Sequence, residues 1–68
     1  MQKQALTVNK AAEYSGIGRN TLRDLIRWGK IPVIQIGNNA IIRTETLDHF
    51  LVANEGKNLR NIHEVIAV

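Results

Sequence analysis

The chain of 68 residues contains no cysteine. Disulfide staples and thiolate metal sites are therefore excluded, and the composition suits a reducing interior. His49 and His63 are too far apart, and too short of partners, to mark a zinc site. No apolar run approaches the ~20 residues that span a bilayer, and Met1-Gln2-Lys3-Gln4 lacks the apolar stretch of a secretory leader. There is no phosphate-binding loop, no nucleophile with a base beside it, and no carboxylate pair in a cleft-forming frame. His49, between Asp48 and Phe50, reads as an ordinary surface or half-buried side chain. What is left is one small domain, near the lower limit of unstapled folding. It is expected to be cytoplasmic, with no enzymatic activity, cofactor, metal or membrane contact.

Nine Lys and Arg stand against six Asp and Glu, a net charge of +3. The distribution says more than the total. Arg19, Arg23, Arg27 and Lys30 fall together with only Asp24 opposing them, while Glu13, Glu45, Asp48, Glu55 and Glu64 lie elsewhere. A basic patch on an otherwise mixed surface is the electrostatic footprint of a nucleic-acid binder.

Thr7 to Ser15 reads as a short helix, capped by Thr7 or Asn9, with Val8, Ala11, Ala12 and Tyr14 as its buried side. Gly16-Ile17-Gly18 breaks it with a tight turn around one apolar anchor. A second helix is predicted over Arg19–Trp28, ended by Gly29 and kept from resuming by Pro32. Leu22, Leu25 and Ile26 form its core face. At about 100° per residue, Arg19, Asn20, Arg23 and Arg27 share a polar face beside it. That face has almost none of the interleaved acid of an ordinary solvated helix.

Ile31–Arg43 is β-branched around Gly37-Asn38-Asn39 and reads as a β-hairpin. Two registers compete. An Asn38-Asn39 loop pairs Ile36 with Ile41 and puts Arg43 on the face of Ile34 and Ile36. A Gly37-Asn38-Asn39 loop pairs Ile36 with Ala40 and Ile34 with Ile42, sending Gln35, Ile41 and Arg43 outward. The buried pattern favours the second, with Asn39 in the left-handed region. A third helix begins at Thr44, whose Thr-Glu-Thr-Leu resembles a cap with acid in the first turn, and buries Leu47, Phe50, Leu51 and Ala53. After a break at Asn54–Asn58, the segment Leu59–Val68 carries Leu59, Ile62, Val65 and Ile66 at helix-like spacing. A helix that short needs a surface to cover, on its own domain near Trp28 or Tyr14, or on a partner. The flexible break favours the partner. The reading thus divides the chain at 1–53 and 54–68.

The order is helix, glycine turn, basic helix, hairpin, helix: an α+β winged helix-turn-helix. In that arrangement the second helix enters the major groove and its first residues meet base edges. Arg matches guanine and Asn matches adenine, while Thr21 and the helix N-terminus suit phosphate. The ordered set Leu6-Thr7-Val8, Ala11-Ala12, Tyr14, Gly16-Ile17, Thr21-Leu22, Leu25-Ile26-Arg27, Gly29, Ile31-Pro32, Ile36-Gly37, Ile42-Arg43 and Leu47 resembles the excisionase-type winged helix, related to the DNA-binding domains of MerR-type regulators. The resemblance covers about residues 6 to 52. It implies a factor, of bacterial phages or conjugative transposons, that binds duplex DNA near the ends of an integrated element. Such a factor bends the DNA and recruits a tyrosine recombinase (integrase), with further copies of itself on the DNA. A small MerR-like transcriptional regulator is the alternative on the same fold, and an acidic protein partner for the basic helix is a third. The resemblance carries the recognition helix onto Arg19, Asn20, Thr21, Arg23 and Arg27, and the wing onto Gln35 through Arg43, including Asn38 and Asn39. Lys30 joins them from the basic cluster. The wing tip, Asn38-Asn39-Ala40, departs from the basic and aromatic residues of many relatives, and Trp28 stands where a polar residue is common.

Overall fold

The computed structural model describes residues 4–68. Met1, Gln2 and Lys3, most of the stretch read as too polar for a leader, lie outside the described residues. Strand β1 (Ala5–Thr7) runs into helix α1 (Val8–Ser15); α2 (Arg19–Arg27), β2 (Ile34–Ile36), β3 (Asn39–Arg43) and α3 (Thr44–Ala53) follow. Thr7 caps α1, its Oγ1 accepting from the Lys10 N–H at 3.2 Å. Gly16, at φ 79°, ends it and returns its N–H to the Ala12 carbonyl. Helix α2 closes in a paired glycine motif: the Gly29 N–H donates to Ile26 O at 3.0 Å and the Lys30 N–H to Leu25 O at 2.9 Å. Gly29, at φ 75°, makes that left-handed step without steric penalty.

The sheet is antiparallel, with β3 between β1 and β2. Strand β1 was not foreseen; three residues are too few to show an alternation. It decides the sheet's inner face, because Leu6 pairs with Ile42 and both are buried. The hairpin register differs from both expectations. Ile36 pairs with Asn39 and Ile34 with Ile41, so the loop is Gly37-Asn38. Gly37 has φ 58°, and no non-glycine residue among those described has positive φ. That is the pattern of a two-residue II′ hairpin, with glycine in the first loop position. Asn39 is therefore an ordinary strand residue. Ile34, Ile36, Ile41 and Arg43 share one face; Gln35, Ala40 and Ile42 share the other. Turn chemistry has outweighed the alternation of apolar residues, and Ile34 and Ile36 stay 48% and 57% exposed on the edge strand.

Among the described residues, nine apolar side chains make the buried core: Leu6, Ala11, Leu22, Leu25, Ile31, Ile42, Leu47, Phe50 and Val65. Val8, Ala12, Ile17, Ile26 and Trp28 pack partly against it. Tyr14, expected on the buried side of α1, is 43% exposed. Its hydroxyl reaches across to donate to Asp48 Oδ1 at 2.7 Å, tying α1 to α3. Thr44 is the first helical residue of α3 rather than its cap: its N–H donates to Gln4 O at 2.9 Å, and Arg43 occupies the cap position without a side-chain bond.

The expected C-terminal helix is absent. Residues 57–68 form turns and irregular chain. The side chains of Asn58 and Asn61 accept from the N–H two residues on, Arg60 and His63, both at 3.0 Å. These local bonds offer the backbone an alternative to helical pairing. Rather than swinging clear, the segment lies on the domain. Val65 is 4% exposed within the core, and Leu59 and Val68 pack against it. Buried Asn54 clamps it, donating to Phe50 O (2.9 Å) and Ile66 O (3.0 Å) and accepting from the Ile66 N–H (2.7 Å). With its helix-turn-helix, hairpin and third helix, the molecule is a small α+β winged helix-turn-helix.

Asn54→Ala removes three hydrogen bonds at a buried position and strands their partners. The expected loss is about 1–3 kcal/mol, a melting temperature lower by some ~4–8 °C per kcal/mol in a domain of this size. A thermal melt with an unchanged midpoint would contradict the clamp.

Candidate nucleic-acid interface

Helix α2 has its inner face committed, because Leu22 and Leu25 are completely buried. The opposite face is thereby turned to solvent, and Arg19, Asn20, Arg23 and Arg27 are all exposed. Asn20 and Arg27, seven residues apart, lie within about 20° of each other around the axis, with Arg23 about 60° from Asn20. Thr21 is half-buried on the flank, about 100° from Asn20. The N-terminus of α2 has no side-chain cap: Gly18 holds the cap position. Its first N–H groups are free of side-chain acceptors and carry the positive end of the helix dipole.

An open cleft of about 620 Å³ separates α2 from the wing. Arg23, Ile26 and Arg27 form one wall, Ile36, Asn38, Asn39 and Ile41 the other, and Thr7, Val8 and Asn9 of the β1–α1 junction the floor. Asn9 appears in the sequence only as a rival cap, yet its Oδ1 accepts from Arg19 Nη1 at 3.4 Å. Its place beside the basic helix arises from the packing of α1 on α2, which sequence spacing does not reveal. Ile26, Ile36 and Ile41 add apolar wall to the cleft beside the polar candidates.

The structure gathers Arg23, Arg27, Asn38 and Asn39 on this cleft and leaves the other candidates around it. Arg19 lies at the α1–α2 turn, against a second hollow that includes Glu13 and Gly18. Lys30 is half-buried beyond the end of α2. Gln35 sits on the other face of the wing, its Nε2 donating to Gly37 O at 3.2 Å. Arg43, at the far end of β3, is paired with Glu45 at 3.0 Å.

Charge around the cleft is graded by these pairings. Arg27 holds Asp24 at 2.6 Å, an exposed contact one turn apart. Such surface pairs are worth about 0–1 kcal/mol, so a phosphate can replace the carboxylate. The Arg23 side chain makes no ion pair or hydrogen bond among the described residues. No helix among the described residues is long and apolar enough to cross a membrane.

The class this geometry defines is a helix-turn-helix with its second helix exposed and basic. The chain belongs to the helix-turn-helix domain family, which matches residues 5–54. This is a DNA-binding family that includes excisionase-like proteins and whose members are typically not enzymes. Membership implies sequence-specific DNA binding. No curated protein and no solved structure matches the chain.

Asp24 is the one acid on the basic helix. Asp24→Ala should release Arg27 and raise affinity for random-sequence duplex severalfold at low salt, since every neutralised phosphate contributes to non-specific binding. Titration of a scrambled duplex checks this; weaker binding would mean that Asp24 orients Arg27 rather than restrains it.

Proposed function

We propose that the chain is an excisionase-type architectural factor, which binds near the ends of an integrated mobile element and helps a tyrosine recombinase excise it. The observation that carries the DNA-reading part is Arg23: an exposed arginine with no protein partner, on the solvent face of α2, at the mouth of the cleft beside the wing. Docked in the major groove, α2 sets Arg23 and Asn20 against base edges, where a bidentate arginine selects guanine and asparagine selects adenine. Arg19, Thr21, Arg27, Lys30 and Arg43 serve phosphates and hold the register. The wing, through Gln35, Asn38 and Asn39, follows the adjacent backbone with amide rather than cationic contacts.

The recombination part rests on the excisionase-like motif set and on a family that includes such proteins. Exposed Ile62 and Ile66 on the C-terminal segment are the side chains that would meet the recombinase or a neighbouring copy. The deciding assay supplies the tyrosine recombinase and a circularising substrate carrying the element's ends. Excision that depends on this protein supports the reading. Binding confined to a promoter, with recombination unaffected, would instead make it a small MerR-like regulator.

Two quantitative outcomes follow for DNA alone. If roughly four to six phosphates are neutralised, log K falls against log salt with a slope of about −4 to −5; a flat response excludes the interface. Arg23→Ala should cost about 1–3 kcal/mol on the preferred site and relax discrimination there. Arg43→Ala should weaken preferred and scrambled duplexes alike, and the opposite assignment would mean a different docking orientation.

A further inference from the structure

The recognition helix is held unevenly. Among the helices and strands, α1 is the element whose backbone lies against α2, and the Gly16-Ile17-Gly18 turn ties the two at the N-terminal end of α2. Its C-terminal end has a different support. The Val68 N–H donates to Lys30 O at 3.1 Å. Lys30 is the residue whose own N–H closes the glycine motif on Leu25. Three steps earlier Val65 enters the core with Leu22 and Leu25, and between them Ile66 is gripped on both its N–H and its carbonyl by Asn54 at the end of α3. The last residues thus run as a strap from α3 to the end of α2, with Val65 and Val68 inward and Ile66 outward.

We infer that residues 65–68 position the recognition helix, and that the Val68–Lys30 bond sets the angle at which α2 meets DNA. The inference rests on the major-groove reading above. Its consequence follows from lever geometry. Nine residues of helix are about 13 Å long. Rocking α2 by about 10° around its N-terminal end moves Arg23 by ~1 Å and the far end by ~2 Å. A base-edge hydrogen bond tolerates only a few tenths of an ångström, whereas attraction to phosphate falls slowly with distance. Loss of the strap therefore erodes discrimination before it erodes binding. Val68 is a positioning residue that touches no DNA.

The test uses Val68→Pro, which deletes the N–H donor, beside Val68→Ala, which keeps it. A chain ending at Ala67 removes the same donor without proline's restriction on the preceding residue. The probes are the duplex recovered by the unaltered protein from a pool with a randomised core, and a scramble of it. Val68→Pro and the shortened chain should lose about tenfold in the ratio of recovered to scrambled affinity, the order of one good base contact. Scrambled affinity should stay within about twofold, and Val68→Ala should retain most of the ratio. A second measurement needs no DNA: amide exchange at Trp28, Gly29 and Lys30 should quicken in Val68→Pro while that of Phe50 is unchanged. Unchanged exchange at the end of α2 overturns the strap. Faster exchange with an unchanged ratio, or equal losses on both duplexes, overturns its part in recognition. If the unaltered protein enriches no sequence from the pool, the major-groove reading fails, and with it the role in recognition, while exchange still decides the strap.

Discussion

Leu22 and Leu25 are completely buried, and the remaining structure is arranged around keeping them so. They lie on one side of a short helix, so their burial turns the other side outward. No separate device is needed to present the arginines; exposure is the geometric complement of the core face. The partners of Leu22 and Leu25 come from nearly every segment: Leu6 of β1, Ala11 of α1, Ile42 of β3, Leu47 and Phe50 of α3, and Val65 near the C-terminus. In a chain this short each of these segments supplies part of that core, and only the edge strand β2 supplies none.

The electrostatics of the exposed face are set one contact at a time. Asp24 restrains Arg27, Asn9 steadies Arg19, and Glu45 occupies Arg43. Arg23 is left with its five donors uncommitted within the described structure. These pairings are exposed and of a kind worth little, so another anionic partner can displace them at small cost. The wing contributes shape and amides more than charge, because its tip carries Asn38 and Asn39 and its edge carries exposed isoleucines.

The helices were legible because their signals are local. Leu22 and Leu25 at helical spacing, Gly16 and Gly29 as stops, and acid in the first turn of α3 each act within a few residues. The wing was legible as a hairpin but not in its register. Two asparagines beside Gly37 allow several loops, and the choice depended on Gly37 taking the positive φ and on β1 pairing Leu6 with Ile42. The C-terminal segment was misread for a related reason. Its apolar spacing is helical, but Asn58 and Asn61 bond the neighbouring backbone, and a buried Asn54 supplies the contacts that hold Ile66 against the domain. Of the surface residues, the basic set on α2 could be gathered from periodicity alone, whereas Asn9 could not.

The sequence by itself determined the alternation of helix, turn, basic helix and hairpin, and the segregation of arginines from leucines on α2. Periodicity and turn residues act over a few positions and need no knowledge of the rest of the chain. Tertiary structure alone decided that β1 joins β3, where Asn9 meets Arg19, and that Val65 and Val68 lie against the core and the end of α2. Each of those depends on contacts between separate elements rather than within one of them. Such contacts form only when burying Leu6, Ile42 and Val65 together outweighs the entropy of closing the loops between them.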